Sequence, residues 1–129
     1  MAGKTYRIPP SIRVLTKTID FNSAGYATGI DFGILPLGAM PVEIEVDVLT
    51  AFNIAAIDRP LIGFTSGGFQ WITASEMQID VLGLSQKYKA FLTNGLVTPL
   101  PLAAPRGVIF KGFGTPTVGK AIIHFKFEY

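Results

Sequence analysis

The sequence reads as an all-β protein, an antiparallel β-sandwich or jelly roll of about eight short strands in a single domain. Three observations carry that reading. Several short runs alternate apolar and polar residues, glycine and proline stand between those runs, and no stretch keeps helical spacing long enough for a helix of consequence.

The clearest run is Met40 to Asn53, where Val42, Ile44, Val46 and Val48 share one face and Glu43, Glu45 and Asp47 the other. Side chains of a strand point alternately to opposite faces, so this pattern predicts a strand with a buried aliphatic side and three carboxylates in water. A sheet with one wet face is normally antiparallel, because crossover helices cover both faces of a parallel one.

The remaining elements follow in chain order. Residues 1–11 end in Ile8-Pro9-Pro10-Ser11, and the two prolines remove backbone donors and favour an extended arm. That pattern fits an arm lying on a neighbouring subunit and a frayed terminus equally well. The sandwich domain is expected over 12–129. Ile12 to Phe21 reads as a strand whose inward face is ambiguous, and Asn22-Ser23-Ala24-Gly25 turns the chain. Tyr26 to Leu35 reads as a second strand with Ile30, Phe32 and Ile34 on one side, closed by Pro36-Leu37-Gly38-Ala39.

Beyond the central strand, Ile54 to Pro60 fits a helical turn or a loop, and Leu61 to Thr65 a short strand ended by Ser66-Gly67-Gly68. Thr73 stands three residues before Glu76, the spacing of a capped turn. Strand pattern returns over Gln78 to Gly83, and Ser85 to Ala90 carries Lys87 and Lys89 outward around Tyr88. Asn94-Gly95 supplies the positive φ angles of a tight hairpin. Pro99, Pro101 and Pro105 mark Thr98 to Pro105 as an apolar loop, and Leu100 and Leu102 make it the best candidate for an exposed adhesive segment. Val108 to Phe113 and Lys120 to Tyr129 complete the set. In the last strand Ile123, Phe125, Phe127 and Tyr129 face one way and His124, Lys126 and Glu128 the other.

Composition narrows the function classes. Apolar residues form 49% of the 129 and charged residues 16%, with a mean hydropathy of +0.43. That surplus of apolar side chains points to an oligomer or a partner surface. The absence of cysteine removes disulfides and thiolate chemistry. A formal charge of +2 with scattered Lys and Arg gives no support for a nucleic-acid partner. The apolar stretches are too short to span a membrane, and no apolar h-region follows the N-terminus, so neither membrane nor export is expected.

No residue constellation supplies a nucleophile with its base, and no cofactor or metal is expected. His124 is the single histidine and reads as a surface residue. Glu43, Glu45 and Asp47 form a line that a calcium site or a glycosidase pair could use, but a solvated face that discourages edge pairing accounts for them more simply. Trp71 with Phe64 and Phe69 would suit sugar stacking, and suits a core better.

The order Leu35-Pro36-x-Gly38, Thr50-Ala51-Phe52-Asn53, Leu61-Ile62-Gly63-Phe64-Thr65, Ile72-Thr73-Ala74-Ser75 and Gly114-Thr115-Pro116-Thr117-x-Gly119-Lys120-Ala121 resembles small β-sandwich virion proteins of tailed bacteriophages. The match covers most of residues 30 to 129; the loop 98–105 and the segment 54–60 depart from it. The resemblance implies a non-enzymatic capsid decoration (cement) protein, a homo-oligomer and often a trimer, bound to the major capsid protein on the virion surface after assembly in the host cytoplasm. On that reading the candidate contact residues are Tyr6, Arg7, Ile8, Pro9 and Pro10 of the arm with Leu100, Pro101 and Leu102 of the loop. The alternatives are a tail, collar or fibre-associated virion protein and a carbohydrate-binding sandwich.

Overall fold

In the computed structural model, residues 11–129 are described. Seven strands form: β1 (Ile12–Asp20), β2 (Ile30–Leu35), β3 (Met40–Thr50), β4 (Leu61–Gly63), β5 (Gly83–Tyr88), β6 (Arg106–Lys111) and β7 (Lys120–Glu128). The only helical elements among the described residues are single 3₁₀ turns at Ala56–Asp58 and Ala90–Leu92.

Alternation decides the centre of the fold. β3 and β7 lie side by side and antiparallel, so Ile44 meets Phe125, Val46 meets Ile123 and Val48 meets Ala121, all buried. β1 flanks β7 and β5 flanks β3, giving one sheet in the order β1-β7-β3-β5. The other sheet runs β2-β6-β4, with a bridge from Ile62 to Ile72 standing where a fourth strand would be. Consecutive strands alternate between the sheets from β1 to β4 and again from β5 to β7. That wiring is a jelly roll in which one of eight strand positions has shrunk to a bridge.

Between the sheets lies an aromatic centre. Trp71 is fully buried and meets Phe125, Phe64 and Phe91 edge-on, with ring centroids 4.8, 5.4 and 5.6 Å away. Edge-on pairs set the positive rim of one ring against the negative face of another. The indole N–H donates to the carbonyl of Gly107 at 2.9 Å, so the one polar atom of the side chain is satisfied without water. A sugar cannot stack on a ring with no exposed face, so the carbohydrate reading built on Trp71 is corrected.

Several local expectations shift, each for a physical reason. In β2 a bulge between Asp31 and Gly33 breaks the alternation, so Phe32 and Leu35 turn inward and Ile34 is left 67% exposed. Gly33 has a φ of +130°, which a β-branched neighbour could not adopt without strain, and its N–H is held by the Asp31 carboxylate at 2.8 Å. A second bulge, between Pro41 and Glu43, makes Val42 the extra residue of β3 and leaves it half-buried. Residues 78–82 are turns around buried Ile79 rather than a strand, and pairing begins at Gly83. Asn94-Gly95 joins no two strands; the Asn94 side chain accepts from the Leu96 N–H at 2.9 Å in a local turn.

The open edges are guarded. Leu15 and Ile19 turn out to be the inward residues of β1, but Arg13 and Lys17 occupy the same side of that strand. Inward-pointing charges on an edge strand oppose docking of a further strand. β3, by contrast, is interior, so its carboxylates do not serve as edge guards. On sheet β2-β6-β4, Gly63 allows Gly68 to press against it, so the 64–70 loop folds tightly back on β4.

Replacing Trp71 by Ala should lower unfolding free energy by roughly 3–5 kcal/mol through the cavity left among three aromatic rings. Chemical denaturation monitored by far-ultraviolet circular dichroism measures it; a loss below about 1 kcal/mol would contradict the central role of this side chain.

Candidate interaction surface

The sandwich has two ends. At one of them β1 and β3 begin, β7 finishes, and the connections 36–39 and 89–105 emerge. Ser11 and Tyr129 hold each other there through paired backbone hydrogen bonds of 3.2 and 3.4 Å, so the segment before Ser11 departs from this end. Tyr6, Arg7, Ile8, Pro9 and Pro10 lie outside the described residues.

The loop candidates reach the same end and divide by burial. Leu102 is 4% exposed, and its N–H and carbonyl pair with the Ala39 carbonyl and the Gly38 N–H at 2.9 and 2.8 Å. It plugs the core beside the 36–39 turn, so the expectation of an exposed Leu102 is corrected: the apolar side chain satisfies its own domain first. Leu100 is half-buried against the core, while Pro101 is exposed. The structure therefore brings the loop and the root of the arm together, and leaves Pro101 as the outward member of the loop trio.

Three exposed apolar residues at this end escaped the reading of the sequence: Leu37, Ile12 and Tyr129, each more than half exposed. Leu37 carried a signal, since it is the apolar residue in the Pro36-Leu37-Gly38 turn, where polar side chains are usual. Ile12 and Tyr129 carried none, because the inward face of the first strand is ambiguous in the sequence and alternation groups Tyr129 with the buried Phe125 and Phe127.

The outer face of sheet β1-β7-β3-β5 is a charge network rather than a row of hydrated carboxylates. Glu43 is 7% exposed and receives Lys126, Lys89 and Lys87 at 3.5, 3.7 and 3.9 Å. A carboxylate so enclosed must be paired, and at such exposure each lysine contributes at most about 1 kcal/mol, so the lysines offset desolvation more than they add stability. Lys126 also donates to Glu45 at 2.6 Å. That bond holds the Glu45 carboxyl below the usual carboxylate range and raises the Lys126 ammonium. Asp47 is lowered chiefly by the Ser85 N–H at 2.7 Å, and then by His124, whose other ring nitrogen meets the Thr16 hydroxyl. Each carboxylate already has its cation or donor, and among the described residues no grouping of three His, Cys, Asp or Glu is placed to hold a metal ion.

The opposite end is clasped by side chains. Arg59 grips both oxygens of Asp80 at 2.8 and 3.2 Å and donates to the Ser75 carbonyl, tying the 3₁₀ turn to the 73–82 segment. Asn53 bonds the side chain and backbone of Thr117. Tyr26 donates to the Phe113 carbonyl at 3.1 Å, and burial, with Asp58 nearby, pushes its hydroxyl up to about 12. These clasps fix loop shape.

No family model matches the chain, and no curated protein matches it. A chain in a solved structure described as "Cyanophage Pam1 capsid asymmetric unit" is similar to it, with a TM-score of 0.54 at 12% identity. The superposition covers 99% of this chain and 91% of that one, so the two share a fold across nearly their whole lengths.

Acid should loosen the charged face. Glu45 and Asp47 are lowered in the folded protein, so their contribution is present above the unfolded carboxylate range near 4 and is lost as pH falls through their folded values. The urea midpoint should decline from pH 6 to pH 3, and the Glu45→Gln/Asp47→Asn double variant should flatten that decline; an unchanged slope would remove this network as its source.

Proposed function

We propose that the protein is a non-enzymatic structural component of a bacteriophage virion, and specifically a decoration protein that binds the outside of the capsid lattice as a homo-oligomer. One observation carries this reading: the fold agrees over almost the full length of both chains with a chain belonging to a capsid asymmetric unit. Agreement over whole chains, rather than over a shared core with unlike additions, suits a protein whose single task resides in the sandwich itself.

The chemistry on the surface is consistent with that role. Glu43 and Glu45 are paired with lysines, Trp71, Phe91 and Phe125 are committed to the core, and Arg59 clasps Asp80 across two loops. Apolar area is exposed at both ends, with Leu37, Ile12 and Pro101 where the arm departs and Ile57 and Leu82 at the other. A rigid body with adhesive ends is what a repeated lattice component requires, since modest contacts per copy accumulate over many copies.

Antibody labelling of intact particles tests the location. Gold spread over the head is the expected result; label at one vertex or on the tail would move the protein to a tail, collar or fibre role, and unlabelled particles would overturn the virion reading. Removing residues 1–10 should weaken attachment to heads at least tenfold, a loss of about 1.4 kcal/mol, while leaving the β-rich circular dichroism spectrum intact. Undiminished attachment would take the arm out of the contact.

A further inference from the structure

The Asn94-Gly95 pair belongs to no strand and to no clasp, yet it carries a nucleophile and an electrophile side by side. Phe91 and Val97 anchor the segment on either side, each 1% exposed, while Thr93, Asn94, Gly95 and Leu96 between them are all exposed. The tip therefore stands in water. Gly95 has a φ of +75°, and a side chain built on it would meet nothing within 4 Å, so the space around this peptide is open. Among the described residues its N–H donates to no acceptor, which leaves the nitrogen available for reaction.

The group it can attack is held next to it. Asn94 Oδ1 accepts from the Leu96 N–H at 2.9 Å, which folds the side-chain amide back over the Gly95 peptide. The same donor polarises the Cγ–Oδ1 bond and stabilises the negative charge that builds on Oδ1 when a nucleophile adds to Cγ. We propose that Asn94 is a site of spontaneous deamidation through a cyclic imide, with water as the only co-reactant. Base in the solvent takes the Gly95 N–H proton, and the electron pair left on nitrogen forms a bond to Asn94 Cγ. The Cγ–Nδ2 bond then breaks, its electrons stay on nitrogen, and a proton from solvent completes the departing ammonia. Water opens the imide in one of two ways. Breaking the bond from nitrogen to Cγ yields an ordinary aspartyl residue, and breaking the bond to the main-chain carbonyl carbon yields an isoaspartyl link whose backbone runs through the side chain. Either way a neutral amide becomes a carboxylate at the tip of the 89–105 connection, at the end where Ser11 and the 36–39 turn lie.

The other two asparagines are held against this chemistry. Ser23, which follows Asn22, donates its N–H to the Asp20 carbonyl at 3.0 Å, so that nitrogen is engaged. The Asn53 carbonyl oxygen is fixed by the N–H groups of Thr117 and Val118 at 2.8 and 3.3 Å, and β-branched Ile54 crowds the nitrogen that would attack it. The inference stands apart from the virion reading and depends only on this loop.

Full-length protein incubated in mildly alkaline buffer and followed by peptide mass mapping tests it. The fragment holding Asn94 should gain about 1 Da and yield isoaspartate, at a rate at least about tenfold above that of the fragments holding Asn22 and Asn53. The rate should rise with pH, because the attacking nitrogen must lose its proton. Asn94→Gln, whose longer side chain would have to close a larger ring, should keep its mass over the same period. The folded chain should match or exceed the rate at Asn94 in the same chain unfolded in guanidinium chloride. A folded chain more than about threefold slower than the unfolded one means that the fold shields the site, and it overturns the proposal. Deamidation at Asn22 or Asn53 that keeps pace with Asn94 overturns it as well.

Discussion

The pairing of β3 with β7 is the constraint on which the rest of the structure depends. Two strands with matched two-residue alternation lie next to one another in the middle of a four-stranded sheet, so one side of the pair is aliphatic and aromatic while the other is mainly charged, with Ile122 among its members. A slip of one residue would drive Glu45 and Lys126 into the core and expose Ile44 and Phe125. The second sheet, the Trp71 centre and the plugging of the open end by Leu102 all build on the apolar side that this register creates.

The polar side has its own logic. An isolated row of Glu43, Glu45 and Asp47 on neighbouring alternate positions would repel itself, and Glu43 would be buried without compensation. The partners come from both flanking strands, Lys126 and His124 from β7 and Lys87 and Ser85 from β5, with Lys89 just beyond β5. The carboxylates of this face are therefore paired within the sheet. Exposed apolar residues lie elsewhere, in end loops at Leu37 and Ile57 and on edge strands at Ile34 and Leu84.

The clasps of Arg59 on Asp80 and of Asn53 on Thr117 hold long connections in fixed shapes at the end opposite Ser11.

Much of the fold was legible because period-2 alternation is a local property. The run from Val42 to Val48 and that from Ala121 to Phe127 declare their buried faces without reference to anything else, and the glycine and proline between runs declare an all-β chain. Three things were decided only in three dimensions. The bulge at Gly33 reversed Ile34 and Leu35, because a single inserted residue changes the face of everything after it. Leu102 became core and Pro101 surface, because an irregular loop has no period from which burial can be read. Ser11, the 36–39 turn and the proline loop met at one end, because strand order, not sequence distance, determines which loops are neighbours.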